Sequence, residues 1–397
     1  MLIDRQRLGF LLNKEVDYLY AALGILYFAE GLISVFVPIY FYNLGFALWR
    51  ILLFYFILSF FFVILSVLFM GAFKKLSDRT LMLLSVPLMA VHYYGLGFIK
   101  DLPYLFYILP AFVALSMLFF NVGYHISFTA SLDDGYIGRE LGVRHIIGSI
   151  SQFLSPFIGG VLITIFGFVD TFTIGIFISF FVVFPLLFIR PRNLSSRLNP
   201  KEVFKFLKNK TLFSFNLSGA GFAMEKMVDI IIWPIFIFIA VGSIEKFGGI
   251  ISAGLLVSAL ANYLIGYLSD VGRRRKVLSL ATYAHSFIWI LRSFVSGVAG
   301  VVGTHFLSHL ARGAIMVSWG SQYYKIARSV KHLTLFVWSR EIIYHLSRVV
   351  FLPVLMFLSY FFPEGVFFRV SFILAAAVAL LFLSANKFHT RDLKNEI

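Results

Sequence analysis

The stretch ILLFYFILSFFFVILSVLF, residues 51–69, decides the fold. Its apolar residues cover every face, and only Tyr55, Ser59 and Ser66 interrupt them. A helix at the surface of a soluble domain would keep one polar face. A membrane β-strand would alternate apolar and polar residues over roughly ten positions. Neither pattern occurs here. In hydrocarbon a helix satisfies its own backbone N–H and C=O groups, and about twenty apolar residues suffice to cross. Residues 51–69 therefore read as a membrane-spanning helix.

Working outward, the chain repeats that reading. Of its 397 residues 60% are apolar and 13% charged, with a mean hydropathy of +0.90. A soluble domain carries about 25% charged residues, so lipid must act as solvent for most of this chain. Spans are expected at 18–41, 48–70, 81–99, 104–125, 143–166 and 169–189, then at 213–240, 247–268, 277–297, 299–321, 334–360 and 366–386. Connectors such as Lys100-Asp101-Leu102-Pro103 and Pro363-Glu364-Gly365 mark their ends, with tight turns expected at Gly167 and Gly297. The expected fold class is an all-α polytopic membrane protein, its twelve transmembrane helices forming two six-helix bundles in parallel pseudo-repeat.

The net charge of +15 follows from topology rather than from a nucleic-acid partner. One side of the membrane collects 25 of the 34 Lys and Arg residues, including Arg5, Arg7, Lys14, Lys74, Lys75, Arg79, Arg139, Arg144, the stretch 190–210 and 273–276. The other side holds only Arg50, Lys100, Lys246 and Arg369. The positive-inside rule makes the crowded side cytoplasmic, and with it both termini of an integral, cell-membrane protein. Charges of both signs fill the first seventeen residues ahead of any apolar run, so a retained first span is expected rather than a cleaved signal. With no cysteine, disulfides and thiolate metal sites are ruled out, and the redox compartment is not legible.

The two halves resemble each other. Glu30 with Pro38 in span 1 is echoed by Glu225 with Pro234 in span 7; Leu76-Ser77-Asp78 by Leu268-Ser269-Asp270; Arg144-His145-Ile146-Ile147 by Arg340-Glu341-Ile342-Ile343. The offsets are 195, 192 and 196 residues. The expected organisation is a bundle over 1–189, a basic cytoplasmic linker over 190–212, and a second bundle over 213–397. Within the linker, residues 200–207 have the pattern of a short amphipathic helix at the membrane surface. Parallel repeats of this kind build transporters whose site lies at mid-membrane between the halves.

The segment Gly266-Tyr267-Leu268-Ser269-Asp270-Val271-Gly272-Arg273-Arg274-Arg275-Lys276 resembles the signature of the major facilitator superfamily between spans 8 and 9. The first half keeps the Leu-Ser-Asp-Arg core at 76–79 without the glycines. The resemblance implies a cytoplasmic gate formed by Asp78, Arg79, Arg144, Gly266, Asp270, Gly272, Arg273 and Arg340, with Asp270 facing the start of span 5 near Arg144 and Asp78 facing the start of span 11 near Arg340. Ser155-Pro156-Phe157-Ile158-Gly159-Gly160 in span 5 is similar to a Gly-Pro-x-x-Gly-Gly motif of the family's proton-driven exporters, serine replacing the first glycine. Close helix packing is the favoured account of it.

Ionisable groups at the centre of a span are costly and mark candidate functional positions. Span 1 offers Glu30; span 7 offers Glu225, Lys226 and Asp229. Span 10 presents His305, His309, Arg312, Met316 and Trp319 at i, i+4, i+7, i+11 and i+14, and span 11 presents Glu341, His345 and Arg348 at i, i+4 and i+7: one polar stripe per helix. Asn121 and Gln152 add polar groups in spans 4 and 5. Buried pairing is expected, for instance of Glu225 or Asp229 with Arg312 or Arg348. His92 and His285 read as packing residues, and Arg292 as snorkelling to the interface. Solute contact is expected from Glu30, Asn121, Gln152, Glu225, Asp229, His309, Arg312, Trp319, His345 and Arg348, and proton transfer from Glu30, Glu225 and Asp229.

The function expected is secondary active transport of a small solute by alternating access, coupled to protons, with a lean to an anionic or zwitterionic solute. No phosphate-cradling GxxxxGK[ST] stretch supports direct ATP use, and neither metal nor organic cofactor is implied. Export of lipophilic compounds is the alternative. A membrane sensor or enzyme ranks below it, hinted at only by Asp133-Asp134 with His125 upstream. The sequence leaves the oligomeric state open.

Overall fold

The computed structural model describes residues 13–73, 75–132, 137–193, 198–268 and 274–388. Each stretch expected to span the membrane coincides with a helix. In chain order these are α1 (Lys14–Asn43), α2 (Leu48–Leu68), α3 (Asp78–Leu96), α4 (Leu105–Ser131), α5 (Ile137–Phe166), α6 (Phe168–Leu187), α7 (210–241), α8 (Ile244–Leu268), α9 (Arg274–Arg292), α10 (Val298–Ser329), α11 (Leu333–Phe361) and α12 (Glu364–Lys387). Eight of the stretches, in α1, α2, α4, α5, α6, α8, α11 and α12, are long and apolar enough to cross a membrane by length and composition. The others, α3, α7, α9 and α10, carry much of the interior charge: Asp78, Glu225 and Asp229, Arg292, and Arg312.

Local chemistry fixes several helix starts. Asn13, Ser77, Asn199 and Asn209 are N-caps whose side chains accept hydrogen bonds from the first-turn N–H groups. Gly167 and Gly297 turn the chain with φ of 85° and 80°, left-handed values that L side chains resist. Two helices depart from α geometry beside the interior. α1 tightens to a 3-10 turn at Ser34–Phe36, and α7 loosens to a π turn at Val228–Ile232.

Packing follows one scheme twice. α3 packs on α4 as α9 does on α10; α1 on α5 as α7 on α11; α2 on α4 as α8 on α10; α1 on α6 as α7 on α12. Two long seams, α5 with α8 and α2 with α11, join the first six helices to the last six and are counterparts under the same shift. In the α5–α8 seam small residues bring backbones together: a Cβ on Gly160 would lie 3.0 Å from the Ile244 carbonyl oxygen, and one on Gly248 would collide with that of Pro156. The Phe157 N–H donates across the same seam to Ser252 Oγ at 2.8 Å. The helix Pro200–Leu207 buries Val203 and Phe206, packs on α11 and leaves Phe204 exposed. It is thus anchored to the protein as well as amphipathic. Phe177, Phe184, Phe188 and Phe294 are exposed on the outer surface, as side chains of a lipid-solvated helix bundle can be.

Candidate functional site

A cavity of about 350 Å³ lies between the seams, walled by residues of α1, α2, α3, α4, α5, α7, α8, α10 and α11. Glu30, Lys226, Asp229 and Arg348 bring charge to its wall, and Phe54, Tyr55, Tyr93 and Trp233 bring rings. A smaller cavity of about 60 Å³ holds Asn121, His125 and Arg144, and Glu30 borders both spaces. Among the described residues the Glu30 carboxylate has no ion-pair or hydrogen-bond partner. Among the described residues Arg348 has a hydrogen-bond contact with His345 alone, Nη1 to Nε2 at 3.4 Å, its Nε has no partner, and Glu341 of the same helix is the acid whose charge acts on it.

The acids of α7 are differently placed. Arg312 Nη2 donates to Glu225 Oε1 at 2.5 Å and lies 3.4 Å from Asp229 Oδ2, while Lys226 Nζ donates to the same Asp229 oxygen at 3.1 Å. Glu225 Oε1 also meets His285 Nε2 at 3.0 Å and accepts from Trp289 Nε1 at 2.9 Å. The expected pairing of the α7 acids with Arg312 is thus present, with Lys226 as a local partner. Arg348 takes no part in it. His285 and Trp289 are additions to the network. With Arg292 they repeat the i, i+4, i+7 stripe of α10 and α11, a signal readable in the sequence but not used. Arg292 itself is a correction. Rather than snorkelling it is 1% exposed, its guanidinium 3.8 Å from the ring centre of Trp233 and 4.2 Å from that of Trp289. Two indole faces replace water around it.

The remaining candidates fall into separate groups. Gln152 and His309 border the main cavity beside His305, which accepts from Trp233 Nε1 at 3.0 Å. His345 stacks on Phe62 at 3.6 Å in the α2–α11 seam. Asn121 Nδ2 donates across to Glu341 Oε2 at 3.2 Å, and Glu341 is paired with Arg340. Trp319 stands apart from both cavities, stacked on Phe215 and donating to Ser218 Oγ at 2.9 Å.

At one end of the cavity, helices from both halves meet through aromatic and basic side chains. The Tyr324 hydroxyl and His125 Nδ1 share a hydrogen bond at 3.2 Å. Arg144 lies over the Tyr324 ring at 5.9 Å and donates from Nε to the Tyr124 hydroxyl at 3.1 Å. Its counterpart Arg340 lies over Tyr323 at 4.3 Å. Asp78, expected against Arg340, turns elsewhere. It is fully buried, accepts from Ser127 Oγ at 2.6 Å and from the N–H groups of Arg79 and Arg192 at 2.7 Å each, and has Arg192 Nη1 at 3.8 Å. The chain leaving α6 draws alongside through the Ser77–Asn193 bridge and brings Arg192 to this carboxylate. Arg79 reaches the carbonyls of Leu187 and Ile189 at 3.3 Å. Gly266 falls within α8. Asp270, Gly272, Arg273 and the Asp133-Asp134 pair lie outside the described residues.

No protein-family model matches the chain, and no curated protein matches it. Solved structures do. The fucose:proton symporter FucP of E. coli aligns with 94% of this chain and 98% of its own at 12% identity and a TM-score of 0.66. FucP in its outward conformation, a Major Facilitator Superfamily transporter, gives a TM-score of 0.67 at 11% identity, over 94% of this chain and 98% of that one. The chain has the major facilitator fold. The nucleoside transporter NupG shares that fold with it at 14% identity and a TM-score of 0.67, over 94% of this chain and 99% of its own. A POT family transporter in complex with a thioalcohol-conjugated peptide does so at 13% identity and a TM-score of 0.72, over 93% and 95%. At such identities the likeness is one of fold alone, and it agrees with the eight helices long and apolar enough to cross a membrane.

Proposed function

We propose that this chain is a secondary active transporter of the cell membrane, moving a small solute by alternating access. Its twelve spanning helices form two bundles, 1–189 and 213–397, joined by the linker 190–212, with both termini cytoplasmic. The observation that carries this reading is the central cavity, walled by helices of both halves and holding unpaired charge. A purely structural membrane protein would have filled or neutralised such a space, because ionisable groups in hydrocarbon are costly. The fold is that of proteins described as a fucose:proton symporter and a nucleoside transporter, which supports the class.

Proton coupling is assigned to Glu30. The sequence offered three carboxylates, but Glu225 and Asp229 are engaged with Arg312, whereas Glu30 stands free at the junction of the two cavities. Thermal-shift screening of the purified protein against small solutes tests the reading, since a ligand that prefers the folded state raises its apparent stability. The stabilising solute is then followed in counterflow across proteoliposomes. A solute that binds but never exchanges across the bilayer refutes transport. Loss of the pH dependence of exchange in Glu30→Gln, with retention in Asp229→Asn, is the result expected for the proton assignment. The aromatic wall gives export of lipophilic compounds a footing as a second reading, and flux driven outward by an inward proton gradient would establish it.

A further inference from the structure

We propose that the main cavity takes a monovalent organic anion with a flat apolar body, and that this anion and a proton on Glu30 bind cooperatively. The binding part stands on the cavity alone; the coupling of that binding to movement across the membrane rests on the transport reading above.

Four charged side chains border the main cavity. Lys226 and Asp229 neutralise each other at 3.1 Å, and Asp229 shares Arg312 with Glu225, so this cluster of two acids and two bases closes on itself. Glu30 on α1 and Arg348 on α11 are left over. Both groups border the same chamber, so the protonation state of Glu30 sets the net charge of its wall. With Glu30 protonated, the chamber keeps the positive charge of Arg348. Glu341, the acid that acts on it along α11, is engaged by Arg340 and Asn121. In the membrane interior Coulomb interactions are stronger than in solution. An anion then supplies the missing charge. Binding linkage is reciprocal, so an anion that prefers the protonated cavity also favours protonation. Arg292, buried against Trp233, adds a further positive charge beside the α7 cluster.

The other titratable groups facing Glu30 leave this balance in place. Tyr27, Tyr55, His92, Tyr93, His305 and His309 border the main cavity, and Tyr124, His125 and Arg144 the small one. Arg144 is held against the rings of Tyr124, Phe128 and Tyr324. The rest of the wall includes Phe54, Tyr55, Tyr93, Trp233, Leu58 and Met117, which suits a flat apolar body better than a polyol. A volume of about 350 Å³ lies at the small end of ligand pockets.

Four probes with a common body separate the possibilities: phenylpropionate, phenylpropylamine, phenylpropanol and phenylalanine. Binding to the purified full chain is measured at about pH 5.5 and about pH 7.5, and linkage predicts that phenylpropionate binds at least tenfold more tightly than the others at the lower pH and weakens about tenfold at the higher. Glu30→Gln should hold its affinity at both values. Arg348→Met should lose binding while keeping its melting transition, and Arg348→Lys should recover part of it. A preference for the amine, tighter binding of phenylalanine, no binding of phenylpropionate, or an indifferent Arg348→Met each overturns the proposal. Phenylpropionate that binds as expected but shows no counterflow refutes transport and leaves the anion site standing. Counterflow of the amine alone does the reverse.

Discussion

Glu225 shows what one buried charge requires. Its Oε1 atom faces Arg312, His285 and Trp289 from two other helices, while Oε2 has no partner. Breaking a buried ion pair by removing one partner typically costs about 3–5 kcal/mol, because the survivor is left uncompensated. Glu225→Gln should therefore lower the melting temperature in detergent clearly, and adding Arg312→Met should restore much of it. Equal stability of the single variant and the parent chain would show that the pair is not holding α7 to α10. Arg292 invites the opposite change. With Nε and Nη1 unpartnered, Arg292→Met should melt no lower than the parent. The stripes on α10 and α11 made candidates such as Arg312 and Arg348 legible in the sequence. Which partner each would take was not legible, because pairing across helices depends on rotations that spacing along one helix does not encode. For that reason Arg292 read as snorkelling, and Asp78 read as facing α11.

Helices were the most legible level, since length and hydropathy alone mark an apolar crossing. The more polar α3, α7, α9 and α10 were marked by the same reading, because their charged groups sit within stretches that are otherwise apolar. The Ser-Pro-x-x-Gly-Gly stretch of α5 proves to be a packing surface: Gly160 meets α8 at Ile244, and Pro156 meets Gly248. Bulk placed there should wedge the seam open. The absence of native cysteine makes this measurable with a single introduced thiol. Ser34→Cys, on the cavity wall, should react several-fold faster with a membrane-impermeant thiol reagent in a Gly248→Leu background than alone. Unchanged reactivity would mean that the α5–α8 contact does not limit access.

At the scale of the molecule, the alternating access proposed above requires the halves to move as units about the α5–α8 and α2–α11 seams, the two contacts that join them. Cysteines replacing His125 and Tyr324, whose side chains meet end to end at 3.2 Å, should be bridged by a short reducible bifunctional thiol reagent, which should stop exchange, with recovery on reduction. Exchange that continues while the link is intact would exclude opening at that end. The repeat foretold the scheme, but it could not foretell where symmetry fails. α1 and α7 occupy equivalent places, yet beside the cavity one is overwound at Ser34–Phe36 and the other underwound at Val228–Ile232. A 3-10 turn advances about 2.0 Å per residue against about 1.5 Å in an α-helix, and a π turn advances less. The equivalent helices are thus an extended and a compressed spring at one depth. Relaxing both toward α geometry would draw α1 shorter as α7 lengthens, letting the pair trade height across the bilayer without either helix melting.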